Sequence, residues 1–446
     1  MLEAIKNAFK TKEIRVKILF TLAMVVVIRL GTAIPVPGMD LANYSSWYEG
    51  LASGSEGVNL FDLLDRFTGG SFEKFSVFAL NITPYITSSI IMQLLTIAIP
   101  ALEEMQRDGE EGRKKITKWT RYLTVALAVL ESSLMALGFY RSPGFLIAQS
   151  PLLVVQIVAA MTAGSTFLMW VGERITEKGV GNGISIVLGA NIISRMPADI
   201  ATLFEQFVFH KPIIQQVLIA VLIIAIIIAM VVLVILLNGA ERKIPVQYAK
   251  KMQGRRMLGG NTAEIPLKVN TAGVMPIIFA MSLFQFPIII TSFVTGNSGS
   301  APLWWQEILA YLNQNNWFNP LRWRYTLGLV AYMLLMIFFA YFYTSITFNP
   351  LEIADNMKKQ GGFIPGIRPG KPTSDYLQGI LKYVIFIGVV GLIIIGVVPF
   401  IFNGIFGANV SFGGTSLIIV VSVILETLKQ IESQMLVRNY KGFLEG

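Results

Sequence analysis

The chain has 446 residues, of which 54% are hydrophobic and 14% are charged. This composition excludes an ordinary soluble domain, in which about 25% of residues are charged. The formal net charge of +9 does not require a nucleic-acid partner, because membrane proteins carry an excess of Lys and Arg on their cytoplasmic side. The absence of cysteine excludes disulfides and thiolate chemistry.

Apolar runs of about 20 residues, the length that crosses the hydrocarbon layer, recur along the chain and predict membrane spans. The predicted spans are residues 16–35, 75–99, 119–139, 152–171, 183–204, 212–237, 274–294, 325–348, 377–402 and 416–436. The first run is too long for a signal-peptide core, so we expect it to remain a spanning helix. Lys and Arg concentrate in the loops on one side, which predicts that both termini are cytoplasmic.

Ten spans divide into five per half, and an odd number turns the second half upside down relative to the first. The predicted fold class is an all-α polytopic membrane protein with two inverted five-helix halves, residues 1–205 and 206–446, around a conduit. Pro84 and Pro276 support a repeat, because each stands two residues before an isoleucine in the second span of its half. We expect both prolines to bend helices within their spans, and a simple packing kink is the alternative.

Residues 59–71 form a stretch too short to cross a bilayer. Its apolar residues recur at helical spacing and are Leu60, Leu63, Leu64 and Phe67. Gly69 and Gly70 end this pattern, as a flexible helix cap would. The stretch therefore predicts a short helix, either on a hinge or lying on the outer membrane interface.

Two of the charges within the predicted spans are singled out by their position, Glu131 and Arg29. Glu131 lies near the middle of the third span, where a carboxylate is either a functional site or a paired or protonated group facing the bundle. Arg29 lies near the outer end of the first span, and we expect its side chain to extend to the interface.

The cytoplasmic loop 239–270 contains two alternating segments, residues 243–249 and 263–269, that predict a β-hairpin. Basic residues lie between them, among them Lys250, Lys251, Arg255 and Arg256. Such a basic hairpin suits RNA phosphate or an acidic protein surface, and solvated positive charge on the cytoplasmic side is the alternative.

Catalytic and cofactor chemistry finds no support in the sequence. His210 is the single histidine and falls in an external loop, so we expect no metal site, no cofactor and no catalytic residues. Energy for transport would then come from the membrane or from a partner.

Several segments together resemble the SecY family, the central subunit of the bacterial protein-conducting channel. The resemblance extends over nearly the whole chain, and its most specific segments are residues 29–38, 84–95, 181–185, 241–270, 362–370 and 413–416. It implies a channel subunit, not an enzyme, with ten helices clamped around an hourglass pore and a short plug helix at about 59–71.

The resemblance also implies roles for individual residues. The pore ring would consist of Ile82, Ile86, Ile184, Leu188, Ile278 and Ile419. The plug would use Leu60, Leu63, Leu64 and Phe67, and the lateral gate between the second and seventh spans would include Thr87, Gln93, Asn182 and Ser282. The basic hairpin and the loop 349–376 with Arg368 would receive a ribosome or the SecA motor ATPase.

Further implied partners are the small membrane subunits SecE and SecG, signal sequences, nascent polypeptides and the lipid bilayer. The implied location is the bacterial cytoplasmic (inner) membrane. A secondary transporter for a small solute is the alternative from another class, with Glu131 as its best support. An intramembrane hydrolase lacks a nucleophile and base.

Overall fold

A computed structural model of the chain describes residues 9–54, 65, 68–141, 144–208, 212–248, 251–253, 256–258, 262–295, 302–317, 323–406 and 414–442. The protein is mostly helical. Its helices are α1 (Lys12–Gly31), α2 (Leu41–Gly54), α3 (Thr83–Ala98), α4 (Pro100–Arg107), α5 (Glu110–Arg141), α6 (Pro151–Lys178), α7 (Gly183–Phe207), α8 (Ile213–Gly239), α9 (Met275–Thr295), α10 (Leu303–Leu312), α11 (Thr326–Thr347), α12 (Pro350–Lys359), α13 (Lys371–Phe406) and α14 (Gly414–Gly442).

Each predicted span coincides with one of these helices, namely α1, α3, α5 to α9, α11, α13 and α14. Within the described residues, six helices are long and apolar enough to cross a membrane, and a seventh span results if α3 and α4, bent by 106° at their break, are taken together. Helix α3 alone has 16 residues, and α1 carries Arg15, Lys17 and Arg29. The count of ten spans therefore stays a prediction.

The two repeated prolines do not bend helices, contrary to expectation. Pro84 lies in the first turn of α3, and Pro276 is the second residue of α9. A first-turn N–H has no partner within the helix, so proline is tolerated there and favours helix initiation. Prolines farther inside helices are Pro197 in α7, Pro287 in α9 and Pro399 in α13.

The second predicted span is shorter than expected, because residues 72–82 form successive turns before α3 begins. Asn81 adopts a φ of 51°, and its backbone carbonyl accepts a hydrogen bond of 3.0 Å from the Ser165 hydroxyl of α6. Gly164 lies against these turns so closely that a Cβ there would come within 2.1 Å of the Val77 carbonyl oxygen. The turns are therefore packed into the helical bundle.

An aromatic cluster holds α2 against the same turns and against α5. The ring centroids of Tyr44 and Phe75 are 5.0 Å apart, and those of Phe75 and Phe139 are 5.3 Å apart. The Tyr44 hydroxyl donates to the Phe72 carbonyl at 2.8 Å, and burial raises the pKa of Tyr44 well above its usual value. The hydroxyl thus stays protonated and keeps donating this bond.

The predicted hairpin is confirmed. Strand β1 (Glu241–Tyr248) pairs antiparallel with β4 (Thr262–Lys268), and a two-residue strand, β5 (Gly362–Phe363), pairs with the other edge of β1. Between them lie β2 (Lys251–Gln253) and β3 (Arg256–Leu258), which pair with each other.

The base of the hairpin is bonded to α8 and α14. The Asn238 amide, near the end of α8, donates to the Ser422 hydroxyl of α14 at 2.7 Å. Its oxygen accepts from the Asn270 amide at 2.7 Å, and Lys429 of α14 pairs with Glu241 at 3.4 Å. On the α8 side the hairpin therefore follows its helix after a single residue, Ala240.

Candidate functional site

A cavity of about 410 Å³ lies among helices from the early and late parts of the chain. Five aliphatic side chains of the predicted ring line it, namely Ile86 from α3, Ile184 and Leu188 from α7, Ile278 from α9 and Ile419 from α14. The sixth, Ile82, is fully buried immediately before α3. All six belong to one hydrophobic cluster, in which Ile86, Ile184 and Ile278 are only half-buried.

Local structure explains why these side chains converge. Ile82 and Ile86 are four residues apart, as are Ile184 and Leu188, and this spacing places the members of a helical pair on one face. Helix α7 starts at Gly183 because the Asn182 side chain accepts hydrogen bonds from the backbone N–H of Ile184 and Ser185, at 3.1 and 3.4 Å. This cap fixes where the face carrying Ile184 and Leu188 begins.

The predicted gate residues divide into two groups. Gln93 and Asn182 line the cavity, and the Gln93 amide donates to the Ser89 hydroxyl at 3.4 Å. Thr87 and Ser282 are half-buried and do not line it, and the Thr87 hydroxyl donates to the Thr83 carbonyl at 3.1 Å. Helices α3 and α9, which carry three of these four residues, are in contact.

The sequence reasoning missed an ion pair on the cavity wall. The Arg121 guanidinium of α5 lies 2.8 Å from a Glu173 carboxylate oxygen of α6, and both residues line the cavity. Their signal in the sequence was a basic and an acidic residue near the same end of two consecutive spans. The cavity therefore has an aliphatic part and a polar, charged part.

A second charged cluster was also missed. The Arg195 guanidinium of α7 pairs with the fully buried Asp65 at 2.7 Å and with Glu73 at 2.5 Å. Asp65 also accepts from the backbone N–H of Glu73 at 2.7 Å. Arg29, expected to extend to the interface, donates to the Gly69 carbonyl at 3.0 Å.

The expected plug side chains Leu60, Leu63, Leu64 and Phe67 lie outside the described residues. The two glycines of the predicted cap, Gly69 and Gly70, have φ values of 68° and 85°. These values lie in the left-handed region, which favours glycine. The Arg195 and Arg29 contacts therefore hold Asp65 and Gly69, two residues of the expected plug segment 59–71, against α7 and α1.

The predicted partner-binding residues lie on the hairpin and on the loop before α13. Lys250 and Arg255 are outside the described residues, and Lys251 and Arg256 belong to β2 and β3. Arg368 is exposed, and its carbonyl accepts from the Thr373 hydroxyl at 2.8 Å. Gly366 and Gly370 flank it with φ values of 84° and 103°, so Arg368 projects from a tight turn.

Glu131 does not line the cavity. It is half-buried in α5, beside Ser132, whose hydroxyl lies 3.1 Å from the Thr162 hydroxyl of α6. The carboxylate on which a small-solute transporter would depend is thus absent from the cavity wall.

Comparisons with known proteins agree with this geometry. A sequence model of the SecY family matches residues 76–428. The protein translocase subunit SecY of Streptomyces galbus is 45% identical, and the match covers the full length of both chains. A solved structure described by the role of the SecY plug domain in stabilising the closed channel has a TM-score of 0.60 and 18% identity, covering 94% of this chain and 92% of that one. Sec61 in the canine ribosome-channel complex has a TM-score of 0.59 and 17% identity, with the same coverage.

Proposed function

The chain belongs to the SecY family, and on that premise we propose that it is the pore-forming subunit of a protein translocase. Unfolded secretory proteins cross the membrane through its pore, and hydrophobic segments leave sideways into the bilayer. The chain is a multi-pass membrane protein and acts as a transporter, not as a catalyst. One observation carries the proposal: aliphatic side chains from four helices converge on a single cavity.

An aliphatic constriction suits a polypeptide pore. Ile86, Ile278 and Ile419 offer no hydrogen bonds, so water and ions are excluded by dewetting while a passing chain is not held by directional contacts. We propose that these residues, with Ile82, Ile184 and Leu188, form the ring that closes the resting pore. Their membership of one hydrophobic cluster supports this role.

We propose that α3 and α9 form a lateral gate, with Thr87, Gln93, Asn182 and Ser282 near it. Contact between these helices and the position of Gln93 on the cavity support the assignment. An apolar residue such as Leu gains about 0.3 to 0.6 kcal/mol on entering lipid, whereas a charged residue costs about 2.5 to 3.5 kcal/mol. A side opening would therefore let hydrophobic segments enter the lipid and keep charged segments in the pore, according to their free energy of transfer.

Segment 59–71 acts, in this proposal, as the plug. The bonds from Arg29 to Gly69 and from Arg195 to Asp65 support it, because they hold two residues of this segment beside α1 and α7. The solved structure that is described by a plug domain stabilising the closed channel has a similar fold, and this similarity also supports a plug role for the segment.

The basic hairpin and the Arg368 turn would receive the ribosome or the SecA motor ATPase, which supplies the energy, and SecE and SecG would be the membrane partners. The exposure of Arg368 and the ribosome-bound state of the canine relative support the docking surface. We place the chain in the bacterial cytoplasmic membrane, with both termini cytoplasmic and with inverted halves at 1–205 and 206–446. The one-sided distribution of Lys and Arg supports this orientation.

The proposal is tested in proteoliposomes that contain the purified protein with SecE and SecG. With SecA and ATP, we expect a secretory precursor to become protected from added protease, whereas a precursor without its signal sequence stays accessible. Uptake of small solutes is measured in the same vesicles. Accumulation of a solute without protection of the precursor would contradict the proposal and favour a secondary transporter.

A further inference from the structure

Helix α10 exposes apolar side chains along one face. Leu303 is 84% exposed, Trp304 64% and Ile308 40%, while Leu309 on the opposite face is buried. Ten residues of helix extend about 15 Å, too short to cross a bilayer. Placing α10 across the bilayer therefore cannot account for its exposed apolar face.

The other face of α10 is fixed to two long helices. The Trp305 indole donates to the Thr291 hydroxyl of α9 at 2.8 Å. At the other end, the Tyr311 carbonyl accepts from the Trp317 indole at 2.9 Å and lies against Gly328 of α11, where a Cβ would come within 1.9 Å of that oxygen. Because both ends of α10 are in contact with long helices, its orientation relative to α9 and α11 is fixed by these contacts.

The position of α10 indicates what covers its exposed face. It joins the end of α9 that lies away from the hairpin to the start of α11. On α11, Leu327, Leu334 and Phe338 are 54 to 70% exposed and recur at helical spacing, so this side of the helix suits contact with lipid. Trp323, in the turn before α11, is strongly exposed, and tryptophan is enriched at membrane interfaces. Helix α10, which contacts α11, thus adjoins a helix whose exposed side suits lipid.

The chemistry of the face agrees with an interfacial position. Leu303, Trp304 and Ile308 surround the exposed Glu307, whose carboxylate needs water or headgroups. Amphipathic helices with Trp and Leu beside charged residues lie in the boundary between headgroups and acyl chains. We propose that α10 lies in the interfacial layer of the leaflet away from the hairpin and, through the Trp305–Thr291 bond, anchors that end of α9 to the membrane surface.

The absence of cysteine allows single nitroxide labels without prior removal of native thiols. Trp304→Cys and Ile308→Cys report on α10, Leu334→Cys is the lipid reference, and Lys243→Cys on β1 is the water reference. Accessibility to oxygen, which partitions into lipid, is compared with accessibility to a water-soluble nickel chelate in liposomes containing this chain with its membrane partners. We expect the oxygen-to-nickel ratio at both α10 positions to be several-fold above that at 243 and below that at 334. A ratio equal to that at 243 would mean a water-exposed helix, a ratio equal to that at 334 would mean burial in hydrocarbon, and either result overturns the proposal.

The anchoring of α9 is tested separately. Trp305→Phe keeps a ring but removes the indole donor. Trp304→Phe is the matched control, because among the described side chains of α9 Trp304 has no such bond. A nitroxide at Phe286→Cys, exposed on α9, should become more mobile with Trp305→Phe and remain unchanged with Trp304→Phe. Equal mobility in both variants would show that α10 does not hold α9 through this bond.

Discussion

Ile278 of the proposed ring is half-buried and lines the cavity, so its substitution tests the seal with little effect on folding. Ile278→Asn places an amide in the constriction, where it stabilises water that the aliphatic side chains exclude. We expect resting ion conductance in planar bilayers to rise several-fold, and precursors with defective signal sequences to be accepted. Ile278→Val, which stays aliphatic, is the control, and an unchanged conductance in the Asn variant would argue against the ring assignment.

Arg195 neutralises a carboxylate that has no exposure to solvent, Asp65. Removing one partner of a buried ion pair costs about 3 to 5 kcal/mol, since a charge is left without compensation. We expect Arg195→Ala to lower the unfolding temperature in detergent, and the double variant Arg195→Ala with Asp65→Asn to recover part of the loss. Glu73→Gln should have a smaller effect, because Glu73 is about two-fifths exposed. If Arg195→Ala and the double variant are equally unstable, the ion pair is not the cause.

At the scale of single elements, the turn before α13 presents Arg368 between two glycines with positive φ. A planar guanidinium held in a tight turn suits bidentate contact with carboxylate or phosphate. Arg368→Glu should therefore reduce SecA-driven precursor translocation in vesicles by about tenfold, the loss that corresponds to about 1.4 kcal/mol, while membrane insertion of the channel is unchanged. Lys371→Glu, an equal change of charge three residues away, is the control. Equal losses in both variants would indicate general electrostatics without a specific contact.

The helices and the hairpin could be predicted because their signals are local. Long apolar runs predicted α5 and α8, and the alternating pattern predicted β1 and β4. The start of α3 was placed too early because apolarity continues through residues 75–82, which a neighbouring helix holds in turns. The Arg195 cluster was not predictable, since its partners are distant in the chain and only the folded bundle brings them together.

The candidate site could be predicted only with the help of the family resemblance. Apolar residues such as Ile86 and Ile278 look alike in sequence whether they face lipid, core or pore. Periodicity identifies a face but not its neighbour, so the cavity emerges only when α3, α7, α9 and α14 are packed. The Arg121–Glu173 pair left a signal in its two charges, but its place on the cavity wall did not follow from them.

At the scale of the whole molecule, α14 closes the bundle against the start of α7 at two glycines. A Cβ at Gly181, which has a φ of 91°, would lie 2.8 Å from Ile186 Cδ1 of α7 and 2.9 Å from the Thr427 hydroxyl oxygen of α14. A Cβ at Gly189 would lie 3.5 Å from the nearest atom of Val423, an ordinary contact. Gly181→Ala should therefore displace α14, lower the unfolding temperature and raise resting ion conductance. Gly189→Ala, within a helix, should leave both measurements unchanged or improve stability slightly. The same behaviour in both variants would show that α14 does not depend on the close contact at Gly181.

The base of the hairpin is bonded to a helix of the proposed pore ring. Strand β1 follows α8 after a single residue, and the Asn270–Asn238–Ser422 bonds join its base to α14 three residues beyond Ile419. If α14 carries part of the pore ring as proposed, a load applied to the hairpin would reach it through these bonds. A partner that pushes on the hairpin would then perform work on the pore itself, and no chemical signal would have to cross the distance.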